Sequence, residues 1–418
     1  MRPSEDVLIA GAGIGGLTAA LALHARGHRV RIAEAAAEIR PLGVGINLLS
    51  HAVAILDGLG LLAPLRASGI ETSALVFANR FGQTIHRDPR GLDAGARHPQ
   101  ISIHRGALHT ILLRAARERI GEANILTGHR LTGFEQDGEV VAARLLTPAG
   151  ARSERAGILV GADGIHSAAR AQLCPGEGPP RWNGVMMWRG TTVGPPFLDG
   201  RTMVQAGVGD AKFVVYPISA AHAARGEALI NWIADIRRAP RIEGTREAPS
   251  REDWSKPGRA EDLMPVFGSW RFDYLDVPDI IRRADQIFEW PMVDRDPLPG
   301  WNRGRMALLG DAAHPMYPIG SNGATQAILD AEALASALAA HEPADALAAY
   351  DAARRPMTSE IVRLNRQLGL DAILDLVAER APAGFARIED VIDPAEVAAM
   401  IGGYKKAAGH GDRPERGG

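Results

Sequence analysis

The chain has 418 residues, 46% hydrophobic and 23% charged, with a formal net charge of −2 at pH 7. That length allows one to three domains around a large core, and the near-neutral charge leaves no electrostatic footprint for nucleic acid or an anionic membrane. A single cysteine, Cys174, excludes a disulfide framework, a CxxC redox pair and a thiolate metal site.

The first element is the apolar run Val7-Leu8-Ile9-Ala10, part of a buried strand over residues 5–10, which leads directly into Gly11-Ala12-Gly13-Ile14-Gly15-Gly16. Residues 17–24 are Ala/Leu-rich with helical spacing, so the glycines occupy a strand-to-helix turn. Gly11 permits the tight turn and Gly13 lets the backbone approach a pyrophosphate. Gly16, with Gly15 beside it, permits close packing of helix on strand. The helix then points unpaired N–H groups, carrying roughly +0.5 charge, at the phosphates. His28-Arg29-Val30-Arg31-Ile32-Ala33 reads as the second strand, closed by Glu34. A carboxylate there accepts hydrogen bonds from a ribose 2′-OH, which describes a dinucleotide without a 2′-phosphate. Residues 7–25 are nearly all apolar, long enough on that count for a membrane span. The interrupting glycines and the lack of a polybasic flank favour strand, turn and helix instead, hence a soluble, cytoplasmic protein without an export signal.

Further along, Ala156-Gly157-Ile158-Leu159-Val160 is another buried-strand run, ending in Gly161-Ala162-Asp163-Gly164-Ile165-His166-Ser167 and passing into a helix with Arg170. Residues 176–295 differ: 186–189, 212–217, 228–233 and 286–290 read as strands of a mixed sheet, with helical or loop segments at 250–285. Six of the seven tryptophans (182, 188, 232, 254, 270 and 290) fall there, as suits a pocket for a flat aromatic ligand, although each alone reads as sheet core. A strand at 305–309 leads into Gly310-Asp311-Ala312-Ala313-His314-Pro315, a breaker-rich loop and a helix over 324–340. Carboxylates at two strand ends suit the hydroxyl groups of a ligand in the crevice there. The Gly-rich loop entering a helix suits an electron-rich carbonyl edge. His104, His166 and His314 show no metal-ligand spacing, and no nucleophile elbow occurs. The segment 405–418 is Gly-rich, charged and apolar-poor, and reads as a disordered tail.

In this order the three motifs resemble the single-component flavoprotein aromatic hydroxylases, over nearly the whole chain to about residue 404. Within that family, Glu38-Ile39-Arg40-Pro41-Leu42-Gly43-Val44-Gly45-Ile46-Asn47, Ser102-Ile103-His104-Arg105-Gly106, Met187-Trp188-Arg189-Gly190 and residues 291–299 look most like the phenazine-pathway branch. The resemblance implies an α/β fold: a Rossmann-like FAD-binding domain, an inserted mixed-sheet substrate domain, and C-terminal helices. The FAD-binding domain is expected over 1–72, 97–175 and 296–350, the substrate domain over 73–96 and 176–295, and the C-terminal helices over 351–404. It implies FAD as cofactor, NADH or NADPH as co-substrate, and an NAD(P)H- and oxygen-dependent hydroxylation through a flavin hydroperoxide. The substrate would be aromatic or fused N-heteroaromatic, with a phenazine carboxylate and coupled decarboxylation as candidates, and the enzyme a monomer or homodimer.

Carried over residue by residue, Gly11, Gly13, Gly15 and Gly16 would bind the FAD pyrophosphate and Glu34 the adenosine ribose, with Ala35 and Val44 beside the cofactor. Arg105 would contact the pyrophosphate and ribityl region, and backbone groups around Leu126 the adenine. Asp163 would serve FAD and the approach of the nicotinamide cofactor, and Asp311 the ribityl chain. Gly320, Ser321, Asn322 and Gly323 would face the isoalloxazine pyrimidine edge. Many relatives have Gln-Gly where this chain has Asn322-Gly323. Trp188, Arg189, Tyr216, Trp232 and Trp290 are expected to line the substrate site, Arg189 as the partner of a carboxylate. The flavin steps demand no particular acid–base residue. The competing functions are an FAD-dependent reductase, cyclase or dehydrogenase without oxygen insertion, and a flavin-binding sensor without turnover.

Overall fold

The computed structural model describes residues 6–40, 43–240, 248, 256–367 and 369–407. The glycine motif sits on a six-stranded sheet in the order Asn302–Arg303, Met306–Leu308, Ile158–Gly161, Asp6–Ala10, Arg29–Glu34, Ile125–Thr127. All neighbours run parallel except the first pair. Val7, Leu8, Ile9 and Ala10 are covered on both faces, which is why this strand is a continuous apolar run with no alternation. The chain leaves Asp6–Ala10 toward one edge and later returns to fill the other. The carboxyl ends of Asp6–Ala10 and Ile158–Gly161 therefore flank the crevice where such sheets bind ligands.

The helix Ile14–His24 is apolar all round and buried, lying between Arg105–Ile120 and Asn322–Ala340. It begins before residue 17 because Gly15 and Gly16 are helical residues. A Cβ on Gly15 would lie 2.7 Å from the Leu309 side chain, and one on Gly16 would lie 2.0 Å from the Gly11 carbonyl oxygen. Here glycine serves contact between elements rather than a break in the helix. The helix Asn322–Ala340 likewise starts earlier than residue 324.

A second, seven-stranded sheet runs in the order Ile287–Asp294, Arg181–Gly194, Ala228–Arg237, Ala211–Pro217, Thr202–Val208, Ala74–Ala78, Thr84–Pro89. It is mixed, with Thr202–Val208 and Ala74–Ala78 the parallel pair. One face packs Trp188, Phe213 and Trp232 against Leu263, Phe267, Val277 and Ile281. The other packs Met187 and Trp290 against Tyr317 and Ile319, and Val214 and Tyr216 against Ile361, Leu374 and Ile401. That second face looks onto the domain of the six-stranded sheet and the helices Pro343–Arg366, Ala372–Arg380 and Pro394–Ala407.

The expected tail boundary at 405 needs correction. The last helix runs through Lys405, whose Nζ pairs with Asp88 Oδ1 at 2.7 Å, so the cation is used in docking. Residues 408–418, Trp254, Pro41 and Leu42 lie outside the described residues. No described helix is long and apolar enough to cross a membrane.

Candidate active site

At the head of the crevice Gly11 takes φ 108°, and a Cβ on it would meet the Ala162 carbonyl oxygen at 2.3 Å. Gly13, the N-cap of the first helix, is exposed, and a Cβ on it would meet nothing within 4 Å. Backbone is thus presented to open space at the positive end of a helix, the arrangement a pyrophosphate needs. Glu34 closes the loop from below. Its Oε2 accepts the Ala12 N–H at 2.7 Å and its Oε1 the Ala36 N–H at 2.8 Å, leaving lone pairs for a ribose. Leu126 and Ala35 are half-buried on adjacent segments at the sheet edge, where Gly128 N–H donates to the Ala36 carbonyl at 2.8 Å.

Arg105 opens the helix Arg105–Ile120, and its N–H donates to the Val44 carbonyl at 2.8 Å. Its guanidinium is pulled down by burial and up by Asp311, and Arg189 opposes it. Asp311 and Arg189, from two separate segments, therefore both lie close enough to act on Arg105. Asp163 accepts the Ala168 N–H at 2.7 Å through Oδ2, while its Oδ1 is buried without a partner. Burial raises its carboxyl. Asp311 is also raised by burial, yet its surface is accessible, so it lines an internal cleft. Beyond it, Gly320 and Ser321 lead into the positive N-terminal end of Asn322–Ala340, where Ser321 supplies no side-chain cap and a Cβ on Gly323 would meet nothing within 4 Å. Open space beside Gly13 and Gly323 and an unpartnered Asp163 oxygen at a neighbouring strand end fit an elongated dinucleotide such as FAD.

On the wall supplied by the seven-stranded sheet, Arg189, Tyr216 and Trp290 come together. Arg189 donates to the Gly45 carbonyl at 2.6 Å, shares a hydrogen bond with Tyr216, and lies 5.6 Å from the centre of the Trp290 ring. Its Nε is buried without a partner. Burial lowers the guanidinium and raises the Tyr216 phenol, which stays protonated. Trp188 and Trp232 are not part of this wall, a correction to their expected place. Both point through the opposite face, with Trp232 stacked on Phe213 at 6.0 Å and Trp188 donating to Glu289 at 3.0 Å. Strand alternation explains it: 188 and 189 must face opposite ways, and Trp232 shares its row with Gly190.

Several supporting residues escaped the sequence reading. His109 donates from Nε2 to the Ala12 carbonyl at 2.6 Å, fixing the glycine turn from a helix nearly a hundred residues away. Asn231 accepts the Gly45 N–H at 2.6 Å. Asp330 accepts Gly310 N–H at 3.1 Å and His314 Nε2 at 2.5 Å through one oxygen, and Arg354 at 2.8 Å through the other, so it holds the strand end that carries Asp311. Helical spacing alone marks Asp330 as a polar residue on a buried face, the one signal that could have found it. Among the described residues no cluster of His, Cys, Asp and Glu could hold a metal ion.

A strand-end crevice with this glycine turn and these carboxylates, walled by an aromatic-lined sheet, defines a flavoprotein hydroxylase. The chain belongs to the family described as FAD binding domain, which it matches over residues 4–262 and 274–365. It is 47% identical over 406 residues, 96% of each chain, to the phenazine 1,6-dicarboxylic acid hydroxylase PhzS of Lysobacter antibioticus. It is 35% identical over 375 residues, 87% of each chain, to the 3-amino-4-hydroxybenzoate 2-monooxygenase PtnB3 of Streptomyces platensis. In fold it is similar to Klebsiella pneumoniae HpxO complexed with FAD and uric acid, with a TM-score of 0.70 at 23% identity, covering 97% of this chain and 92% of that one. The chain is an FAD-dependent aromatic monooxygenase that takes electrons from NAD(P)H.

Proposed function

We propose that this enzyme hydroxylates a phenazine carboxylate or a close fused N-heteroaromatic acid, bound between Arg189, Tyr216 and Trp290 on one side and the 318–323 loop on the other. The observation that carries this reading is Arg189: a buried guanidinium beside an aromatic ring on the wall facing the Asp311 cleft. A cation there suits the carboxylate and an indole suits the flat ring. The 47% identity to a phenazine dicarboxylic acid hydroxylase supports the ring class. The same reading assigns the pyrophosphate to Gly11, Gly13, Gly15, Gly16 and Arg105, the ribose to Glu34, and the adenine to Ala35 and Leu126. Val44 and Asp163 flank the centre of the cofactor, Asp311 takes the ribityl chain, and Gly320, Ser321, Asn322 and Gly323 meet the ring edge. It includes a cytoplasmic monomer or homodimer that acts without membrane or nucleic acid.

Bound FAD, once reduced, supplies the activation of molecular oxygen. The chain's own work is to bind, orient and keep dry. The strand-end turn and the helix N-termini hold the cofactor's charged and polar edges. Arg189 holds the carboxylate, and the protonated Tyr216 hydroxyl steadies the guanidinium. Buried Met187, Trp290, Met292, Tyr317 and Ile319 exclude water from the transfer site. In simple hydroxylation, ring C–H, oxygen, NAD(P)H and a proton give ring C–OH, NAD(P)⁺ and water. If the carboxylate is displaced, it leaves as carbon dioxide in place of the ring proton.

The purified holoenzyme should oxidise NADH or NADPH much faster with phenazine-1,6-dicarboxylate or a monocarboxylate than with the uncarboxylated ring. Equal stimulation by the uncarboxylated ring would count against the carboxylate site. Arg189→Met should raise KM for the carboxylate substrate about tenfold or more, the scale of one charged hydrogen bond. Unchanged kinetics would remove Arg189 from that role.

A further inference from the structure

The loop entering Asn322–Ala340 bends through two consecutive left-handed residues, Gly320 at φ 69° and Ser321 at φ 59°. Glycine takes that conformation freely. Serine does so at a cost, and such residues persist where their surroundings over-determine them. Ser321 offers no side-chain cap to the helix it precedes, so the first N–H groups are left to the cleft.

What over-determines the turn is Tyr404. Its hydroxyl accepts from Asn322 Nδ2 at 2.9 Å and donates to Asn365 Oδ1 at 2.9 Å, with the Ile319 carbonyl 3.4 Å away. A Cβ on Gly320 would lie 2.4 Å from that hydroxyl oxygen, so the ring sits directly behind the turn. Asn365 Nδ2 in turn donates to the Tyr317 carbonyl at 3.1 Å, and Asn322 Oδ1 accepts from Gln326 at 3.3 Å. Tyr404, Asn365 and Asn322 are only 6%, 2% and 0% exposed, so the network is out of reach of competing water. Tyr404 rides on Pro394–Ala407, beyond residue 365, where the family match ends.

We infer that Tyr404 is the positioning residue for the Gly320-Ser321-Asn322 turn, so that the C-terminal helix sets the geometry with which the Asn322–Ala340 N-terminus meets the flavin. The inference rests on the reading of residues 320–323 as the flavin-facing turn.

Three variants of the full chain separate the possibilities, each stripped of FAD and titrated with it by fluorescence, with apoprotein Tm and the bound-flavin absorption spectrum recorded alongside. Tyr404→Phe should weaken FAD binding about tenfold, the size of one hydrogen bond, and shift the visible flavin bands. Lys405→Met, which loosens the same helix at its Asp88 anchor, should lower the apoprotein Tm but leave FAD affinity and spectrum as in the parent. Gly323→Val places a Cβ where no protein atom lies within 4 Å, and should abolish tight FAD binding with little change in apoprotein Tm. Parental affinity and spectrum in Tyr404→Phe, with FAD lost in Gly323→Val, would overturn the role of Tyr404 alone. Equal FAD weakening in Tyr404→Phe and Lys405→Met would reduce Tyr404 to general docking and also overturn it. Tight FAD binding by Gly323→Val would remove the flavin-facing reading of the turn, and the inference with it.

Discussion

Burial decides the charge of His51, in the first turn of the helix Ser50–Gly58. Desolvation, and then the Arg354 cation, hold its imidazole down to about 4 from the ordinary 6.5. Between those values an unfolded chain takes up a proton that the folded one refuses. The neutral ring's contribution is therefore complete above pH 6.5 and is lost as pH falls toward 4. At about 1.4 kcal/mol per unit the loss approaches about 3 kcal/mol. Urea unfolding of His51→Gln should show a visibly shallower decline from pH 7 to 4.5 than the parent, and parallel curves would exclude His51 as the source. At this scale, legibility followed backbone necessity. Gly11 and Gly16 were readable because no Cβ fits against Ala162 or the Gly11 carbonyl. Trp188 and Trp232 were misplaced because composition counts aromatics without asking which way a strand turns them, although the adjacency of 188 and 189 already forbade a shared face. His109 and Tyr404 act across long stretches of chain, and no local pattern marks them.

Among elements, one side chain reinforces the strand pairing that joins the second and third motifs. Arg170, 1% exposed, donates through Nη1 to the Ala312 and Ala313 carbonyls at 3.2 and 2.8 Å, and through Nη2 to the Asp296 carbonyl at 2.7 Å. Its Nε meets Glu177 at 2.8 Å. The helix Ala168–Leu173 therefore braces the loop that carries Asp311. Arg170→Met leaves three carbonyls and part of Glu177 without a donor, and the loss of a buried partner on this scale costs about 3–5 kcal/mol. Chemical denaturation should show that loss together with weaker FAD binding; parental stability would mean that strand pairing alone positions the two motifs. The strands were legible as elements because buried parallel strands are unbroken apolar runs. Helix starts were less so, since Gly15 and Gly323 read as turn residues but sit inside helices.

In the whole molecule, two sheets with separate cores meet at one cleft, and that meeting makes the chemistry. Gly45 shows the join: its N–H goes to Asn231 and its carbonyl takes Arg189, both from the seven-stranded sheet. The same short segment holds Arg105 through Val44. The candidate cofactor and substrate walls thus meet at Val44 and Gly45, whose partners Arg105, Arg189 and Asn231 the linear sequence spreads over nearly two hundred positions. The class of reaction was legible because three motifs in this order mark one family, which the match over 4–262 and 274–365 bears out. The substrate was not, because it depends on which side chains of a distant sheet face inward. The most direct measurement supplies the holoenzyme with ¹⁸O₂, NAD(P)H and phenazine-1,6-dicarboxylate and weighs the product. One ¹⁸O atom per product, with one NAD(P)H oxidised for each, is the expected result. NAD(P)H oxidation that yields only hydrogen peroxide, or a product without ¹⁸O, would contradict phenazine carboxylate hydroxylation as the reaction of this site.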